Sequence, residues 1–193
     1  MEKQTDWVIR FLRLAQHVAM WSKDPSTQCG AVIVDHHRRV VGMGFNGFPR
    51  GIRDDPSRLN DRPEKYGTIV HAELNAILNA TRSVEGCSMY VWPMLSCNEC
   101  AKAIIQSGIN LIVAPLGIGE DTNTRWGSQL EFARRMFAEA NVIVCETHMD
   151  ETHVVEVQSV SDISSGGGDH GRPFFDPYDD GSDQPPLPGS DDS

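Results

Sequence analysis

Two short motifs carry the residue types that do chemistry: His71-Ala72-Glu73, and Cys97-Asn98-Glu99-Cys100. A Cys-x-x-Cys pair taken alone fits a redox couple, half of a structural metal site, or chance. A redox couple would normally follow the first strand of its fold, whereas this pair follows the third expected strand. Taken with His71, the pair supplies three soft or borderline donors. That is one fewer than a closed structural zinc site and matches an open catalytic one, whose fourth position takes water. Holding zinc does not require Glu73, which is placed beside that water to carry protons. Both motifs stand where a helix is expected to begin, and the partial positive charge of a helix N-terminus stabilises the thiolates that zinc needs. The other cysteines, Cys29, Cys87 and Cys145, are singletons, and Cys29 and Cys145 are expected to be small core thiols. The histidines outside the motif (17, 36, 37, 148, 153 and 170) are read as solvated or packed side chains.

The elements that must position these motifs follow from hydrophobic pattern. Trp7, Phe11, Leu14, Val18 and Trp21 share one helical face, which predicts an amphipathic helix from Thr5 to about Ser22. Ala31–Val34 and Val40–Phe45 read as strands joined by the polar turn 35–39. The stretch 46–70, with three glycines and three prolines, reads as one long irregular loop. His71–Ala80 is expected to be helical with Leu74, Ile77 and Leu78 buried. Met89–Trp92, Leu111–Ala114 and Val142–Cys145 read as strands. Asn98–Ser107 reads as a helix that Gly108 ends, and Ser128–Ala140 as a helix packing on Leu130, Ala133, Phe137 and Ala138. Val154–Val157 is a candidate edge strand. The order α-β-β-α-β-α-β-α-β predicts an α/β fold: a three-layer α-β-α sandwich around a mixed, mostly parallel five-stranded sheet.

Composition divides the chain of 193 residues. Residues 159–193 hold seven Ser, six Gly, five Pro and eight Asp against a single Arg, a net charge of −7. The first 158 residues hold sixteen basic and nineteen acidic side chains, a net of −3. We therefore expect a domain over 1–158 and an acidic tail over 159–193 that cannot bury a core. The near-neutral domain lacks the basic face that long nucleic acid needs. No apolar run reaches the ~18 residues of a membrane span. The N-terminus has no apolar signal core, so a cytoplasmic protein with free thiols is expected.

Further segments extend the pattern around the two motifs: Ser22-Lys23-Asp24-Pro25-Ser26-Thr27-Gln28, Gly44-Phe45-Asn46-Gly47-Phe48-Pro49, Asp54-Asp55, His71 through Ile77, Gly86 through Val91, and Cys97 through Lys102. With them the sequence resembles the zinc-dependent cytidine deaminase superfamily, and within it the deoxycytidylate (dCMP) deaminases, over roughly Trp21 to Cys145. The resemblance implies a cytidine deaminase-like fold and hydrolysis of dCMP to dUMP and ammonia, which supplies dUMP for thymidylate synthesis. It implies one catalytic zinc on His71, Cys97 and Cys100, with Glu73 moving a proton from water to ring N3 and then to the departing amine. Asn46 matches the residue that contacts the sugar; an ordinary Asn-Gly turn is its plainer reading. Ala72 and Ser96 complete the substrate-contacting set, Ser96 through the loop carbonyl that receives the amine. Serine stands here where the family has proline, and its hydroxyl is expected to cap the following helix.

Lys23, Arg50 and Arg53 are the basic residues in loops around the expected mouth and the candidates for holding the phosphate. The resemblance also implies a homo-oligomer, commonly a hexamer, regulated by dCTP and dTTP with Mg2+. A second, structural zinc site of some viral relatives lacks its ligands here. The other readings are a tRNA-adenosine or riboflavin-precursor deaminase of the same fold, a zinc-binding module without activity, and a thiol redox protein. Low basic charge, the absence of room for a fused reductase, and the presence of Glu73 count against the first three of these. Free cytidine deaminases generally carry Cys at the position of His71.

Overall fold

A computed structural model describes the backbone of residues 2–116, 120–149 and 154–159, and the side chains of 7–116 and 126–149. The tail beyond 159 lies outside the described residues.

The strands are β1 (Gly30–Val34), β2 (Val40–Phe45), β3 (Ser88–Trp92), β4 (Leu111–Pro115), β5 (Ile143–Met149) and β6 (Val154–Ser159). They form one sheet in the order β2-β1-β3-β4-β5-β6. β1 runs antiparallel to both β2 and β3, while β3, β4 and β5 are mutually parallel. Four of the five expected strands thus point the same way. β6 adds a sixth, antiparallel to β5. It ends at Ser159, so the expected boundary after 158 falls at the last residue of a strand.

The helices are α1 (Glu2–Ala19), α2 (Pro56–Asn60), α3 (Arg62–Thr68), α4 (Ala72–Leu78), α5 (Asn98–Gln106) and α6 (Glu120–Glu139). α1 covers one face of the sheet through Phe11, Leu12, Ala15 and Val18, against Val32, Val34, Tyr90 and Val113. α4, α5 and α6 cover the other face, against Ala31, Ile33, Met89, Val91 and Ile112. The strand side chains alternate between these two cores, as the pleat requires.

Several expectations shift in detail. α1 stops at Ala19, before the Pro25 signal, in a run of turns, and Trp21 lies beyond it, half exposed against Phe45. The stretch 46–70 is not wholly irregular. It contains α2 and α3, and Gly47 pairs with Val70 to close its ends. α4 buries Ala72, Glu73 and Ala76, while Leu78 is 70% exposed. The reason is close approach: Gly42 and Gly44 of β2 leave no room for side chains larger than alanine beneath α4. On α6 Leu130, Ala133 and Phe137 are buried as expected, but Ala138 is exposed. Gly108 ends the α5 turn with a φ of +79°.

Candidate metal centre and substrate cavity

The sheet brings the site together at one end. Gly30 is paired with Phe45 on one side and Trp92 on the other. Cys29, Asn46 and the loop after β3 therefore lie at the same sheet edge, where α4 and α5 begin. His71 is the N-cap residue of α4 and Cys97 that of α5. Both caps are extended, and neither uses its side chain to cap its helix, so both donors are free to face each other. The parallel order β3-α5-β4 puts the α5 N-terminus at the carboxyl end of β3, where α/β sheets commonly bind ligands.

The three donors converge. His71 Nδ1 lies 3.4 Å from Cys97 Sγ and 3.3 Å from Cys100 Sγ. All three ligand atoms fall within 4.8 Å of one another, and among the described residues no other group of three or more His, Cys, Asp or Glu is so placed. Ligands at ~2.0–2.3 Å from a tetrahedral zinc stand about 3.6 Å apart, so this donor set fits the ion in spacing and chemistry. The thiols are already polarised. A hydrogen bond from Cys100, and a further one from His71, hold Cys97 down at about 4. The Cys100–Cys97 hydrogen bond, together with burial and the nearby Glu73 carboxylate, pushes Cys100 up. The Cys97 partner raises His71 to about 9.

Above the donors lies a cavity whose walls include His71, Glu73, Cys97 and Asn46. Glu73, in the first turn of α4, is 6% exposed. The far walls are apolar, from Ile69, Val91, Met94, Leu95 and Leu130. The rings of Tyr66 and Trp126 meet edge-on at 6.5 Å across this space.

Asn46 is buried and built into the wall. Its Oδ1 accepts from the Cys29 amide at 2.8 Å, and its Nδ2 donates to the Thr27 carbonyl at 2.9 Å and to Asp24 Oδ2 at 3.3 Å. Cys29 was expected in the core. It instead lines the cavity, and burial, with Glu73, Asp24 and Cys97 nearby, pushes its thiol well up. Cys145 does lie in the α1-side core.

The structure does not bring Lys23, Arg50 or Arg53 into this cavity. Lys23 pairs with Asp54 at 2.8 Å, Arg53 with Asp55 at 2.6 Å, and Arg50 donates to Asn79 Oδ1 at 2.8 Å. Ala72 and Ser96 are fully buried behind the cavity wall rather than lining it. The Ser96 hydroxyl does not cap α5: Cys97 occupies the cap position, and Ser96 Oγ is buried without a partner.

Sequence reasoning missed Lys65. Its ammonium lines the cavity, 3.0 Å from Asp24 Oδ1 and 3.1 Å from Ser26 Oγ. A signal for α3 was present in Asp61-Arg62-Pro63-Glu64: Asp61 accepts from the Glu64 amide, and a proline sits in the first turn.

A three-donor metal centre at two helix N-termini, with a buried carboxylate beside it on a three-layer α/β sheet, defines a metal-dependent hydrolase-type site. Residues 5–115 match the family model for the cytidine and deoxycytidylate deaminase zinc-binding region, and the chain belongs to that family. A protein of Aliivibrio fischeri described as an uncharacterized deaminase in the luxG 3′ region is 44% identical over 144 residues, 75% of this chain and 95% of that protein. The deoxycytidylate deaminase of Mus musculus is 47% identical over 114 residues, 56% of this chain and 64% of that enzyme. Among solved structures, the dCMP deaminase of cyanophage S-TIM5, in complex with dCMP and dUMP, superposes with a TM-score of 0.56 at 18% identity, covering 72% of this chain and 94% of that one. This last likeness is one of fold.

Proposed function

We propose that this chain hydrolyses the 4-amino group of deoxycytidylate, giving dUMP and ammonia. The observation that carries the reading is the convergence of His71, Cys97 and Cys100 beside Glu73 on one cavity. Its support from relatives is the deoxycytidylate deaminase of mouse and the like-named human enzyme, 46% identical over 114 residues.

His71, Cys97 and Cys100 would hold the zinc, which when bound supplies a water acidified towards neutral pH. The chain does the rest. Glu73 would accept a proton from that water and deliver it to N3 of the pyrimidine as the oxygen adds to C4; it would then take the second proton from the new C4 hydroxyl and pass it to the amine as the C4–N bond breaks, leaving the C4 carbonyl of dUMP and ammonia. Acid–base help of this kind is worth ~10²–10⁴-fold. The apolar walls and the Tyr66 and Trp126 rings suit a flat base and exclude bulk water. Asn46 stands where it can accept from a sugar hydroxyl through the second lone pair of Oδ1, its orientation fixed by Cys29, Thr27 and Asp24.

A homo-oligomer, control by dCTP and dTTP with Mg2+, a cytoplasmic location and a tail separate from the catalytic domain belong to the same proposal and rest on the sequence and its resemblance. Among the described residues no helix is long and apolar enough to cross a membrane.

The test is incubation of purified, zinc-loaded protein with dCMP, CMP, deoxycytidine, a tRNA adenosine substrate and a riboflavin precursor, following loss of the amine by absorbance and ammonia release. Turnover of dCMP above the others supports the proposal. Turnover of none, with zinc bound, points to the module without activity.

A further inference from the structure

One wall of the cavity and its anchorage lie on the same stripe of α6. Trp126 and Leu130 line the cavity. Arg134 follows at the same spacing of four residues, so the three side chains stand one above another on a single helix face. Arg134 lies outside the cavity and reaches β5 instead. Its Nε donates to Glu146 Oε2 at 2.7 Å and its Nη2 to Glu146 Oε1 at 2.8 Å, a two-point fork.

Glu146 breaks the pattern of its strand. Along β5 the pleat turns Cys145 to the core beneath α1 and Val144 to the core beneath α4, α5 and α6. Glu146 therefore faces α6, at a buried position that an apolar side chain would suit. A buried ion pair adds little net stability, because desolvation cancels most of the attraction, and a well-packed apolar pair serves as well. What the fork adds is geometry. Two parallel bonds fix both the distance and the angle between α6 and β5.

That angle matters because of where Trp126 stands. Leu130, Ala133 and Phe137 set how deep α6 lies in the core; the fork sets its tilt. Trp126 is eight residues from Arg134, roughly 12 Å along the helix axis, so a tilt of about 5° at the fork carries Trp126 by about 1 Å. A displacement of that size in a binding wall costs up to ~10²-fold. Across the cavity the ring that meets Trp126 belongs to Tyr66, which is itself half exposed, so the wall is held from the α6 side.

We propose that Arg134 and Glu146 are positioning residues for the substrate: their fork holds α6 at the tilt at which Trp126, backed by Leu130, closes on the pyrimidine. The inference rests on the nucleotide reading above. It assigns a share of substrate affinity to a pair that lies outside the cavity.

The experiment measures kcat and KM for dCMP, zinc content and melting temperature in the zinc-loaded wild type, in the double variant Arg134→Met/Glu146→Leu and in Arg134→Lys, each also in a Trp126→Ala background. The double variant replaces the pair by apolar side chains and is expected to keep its zinc and its melting temperature, while KM rises about 10–100-fold, more than kcat falls. Arg134→Lys keeps the charge but offers a point contact in place of the fork, and KM is expected to rise about 3–10-fold. It leaves the inference testable should the double variant not fold. In the Trp126→Ala background the same substitutions should add less than about 3-fold, because the side chain they position is gone. An unchanged KM in a folded variant, or the same rise with and without Trp126, overturns the inference and leaves the nucleotide reading standing. A zinc-loaded wild type that does not turn over dCMP overturns that reading, and the inference with it.

Discussion

Gly44 of β2 lies directly against Ala76 of α4: a Cβ at Gly44 would stand 2.3 Å from the Ala76 amide nitrogen and 2.4 Å from the Ala72 carbonyl oxygen. Both obstacles are backbone, so no side-chain rotation relieves the clash, and the helix that begins at His71 must move. Gly44→Ala is therefore expected to cost about 1–3 kcal/mol, the range for overpacking, and to lower activity by displacing His71 and Glu73 together. Gly51, with φ +82° and nothing near its Cβ position, is the contrast. Gly51→Ala should cost about 1–2 kcal/mol through left-handed strain and leave zinc content intact. Urea unfolding and deamination assays on the two variants check both statements. Equal loss of activity in the two would mean that the Gly44 contact does not set the site.

Glu73→Gln keeps the size and polarity of the side chain but removes its ability to take a proton. Zinc, measured by atomic absorption, should stay at one per chain, and the melting temperature should stay close to that of the wild type. The kcat should fall by at least ~10²-fold. Loss of zinc in this variant would show that Glu73 holds the ion rather than serving the reaction beside it.

The motif residues were legible in the sequence because their chemistry demands particular types at particular spacings. His71, Cys97 and Cys100 do converge, and the β1–β2 hairpin and the parallel β3-α5-β4-α6-β5 run follow from plain alternation and helical period. Two things were hidden. The buried face of α4 was misjudged, because periodicity counts large apolar residues, and here Gly42 and Gly44 admit only Ala72 and Ala76. Leu78 was thereby left outside. Lys65 was missed because a lysine in a loop rich in proline and glycine reads as a solvated charge. Only the fold reveals that Asp24, forty-one residues earlier, meets it. α2 and α3, five and seven residues long, are too short for hydrophobic period to register.

Asp35 predicts how the hairpin behaves in acid. The carboxylate is buried at the β1–β2 turn, and burial alone would raise its pKa. The Arg39 amide and guanidinium and the His37 amide outweigh burial and hold it at about 2. Arg82 reaches the same carboxylate. A depressed carboxylate adds stability that is complete above the unfolded value near 4 and is lost as pH falls through 2. Asp35→Asn should therefore lower stability at pH 7 by about 1–3 kcal/mol and flatten the decline between pH 4 and pH 2. Melting curves across that window decide it. An unchanged acid limb would assign the decline to other carboxylates.

The last prediction concerns protons released when the metal enters. Metal ligands bind deprotonated, so zinc uptake by the stripped protein must displace whatever protons the donors hold. At pH 7 Cys97, held at about 4 by Cys100 and His71, is already a thiolate and has none to give. Cys100 is pushed up and holds one, and His71, raised to about 9 by Cys97, holds another. Uptake at pH 7 should then release about two protons per zinc from the ligands. The sign follows for affinity: apparent zinc binding strengthens as pH rises from 5 to 8, and its slope eases from two protons towards one as pH passes the His71 value near 9, because Cys100, pushed up, still holds its proton there. Titration calorimetry in buffers of different ionisation enthalpy counts these protons directly, on protein stripped by a chelator and checked for its fold by circular dichroism. Cys100→Ser removes one of the two releasing groups and one ligand, so the count should fall and zinc should bind far more weakly. Release of three protons by the wild type would mean that Cys97 is a neutral thiol before the metal arrives, and that the helix terminus and its neighbours do not prepare it as the geometry implies.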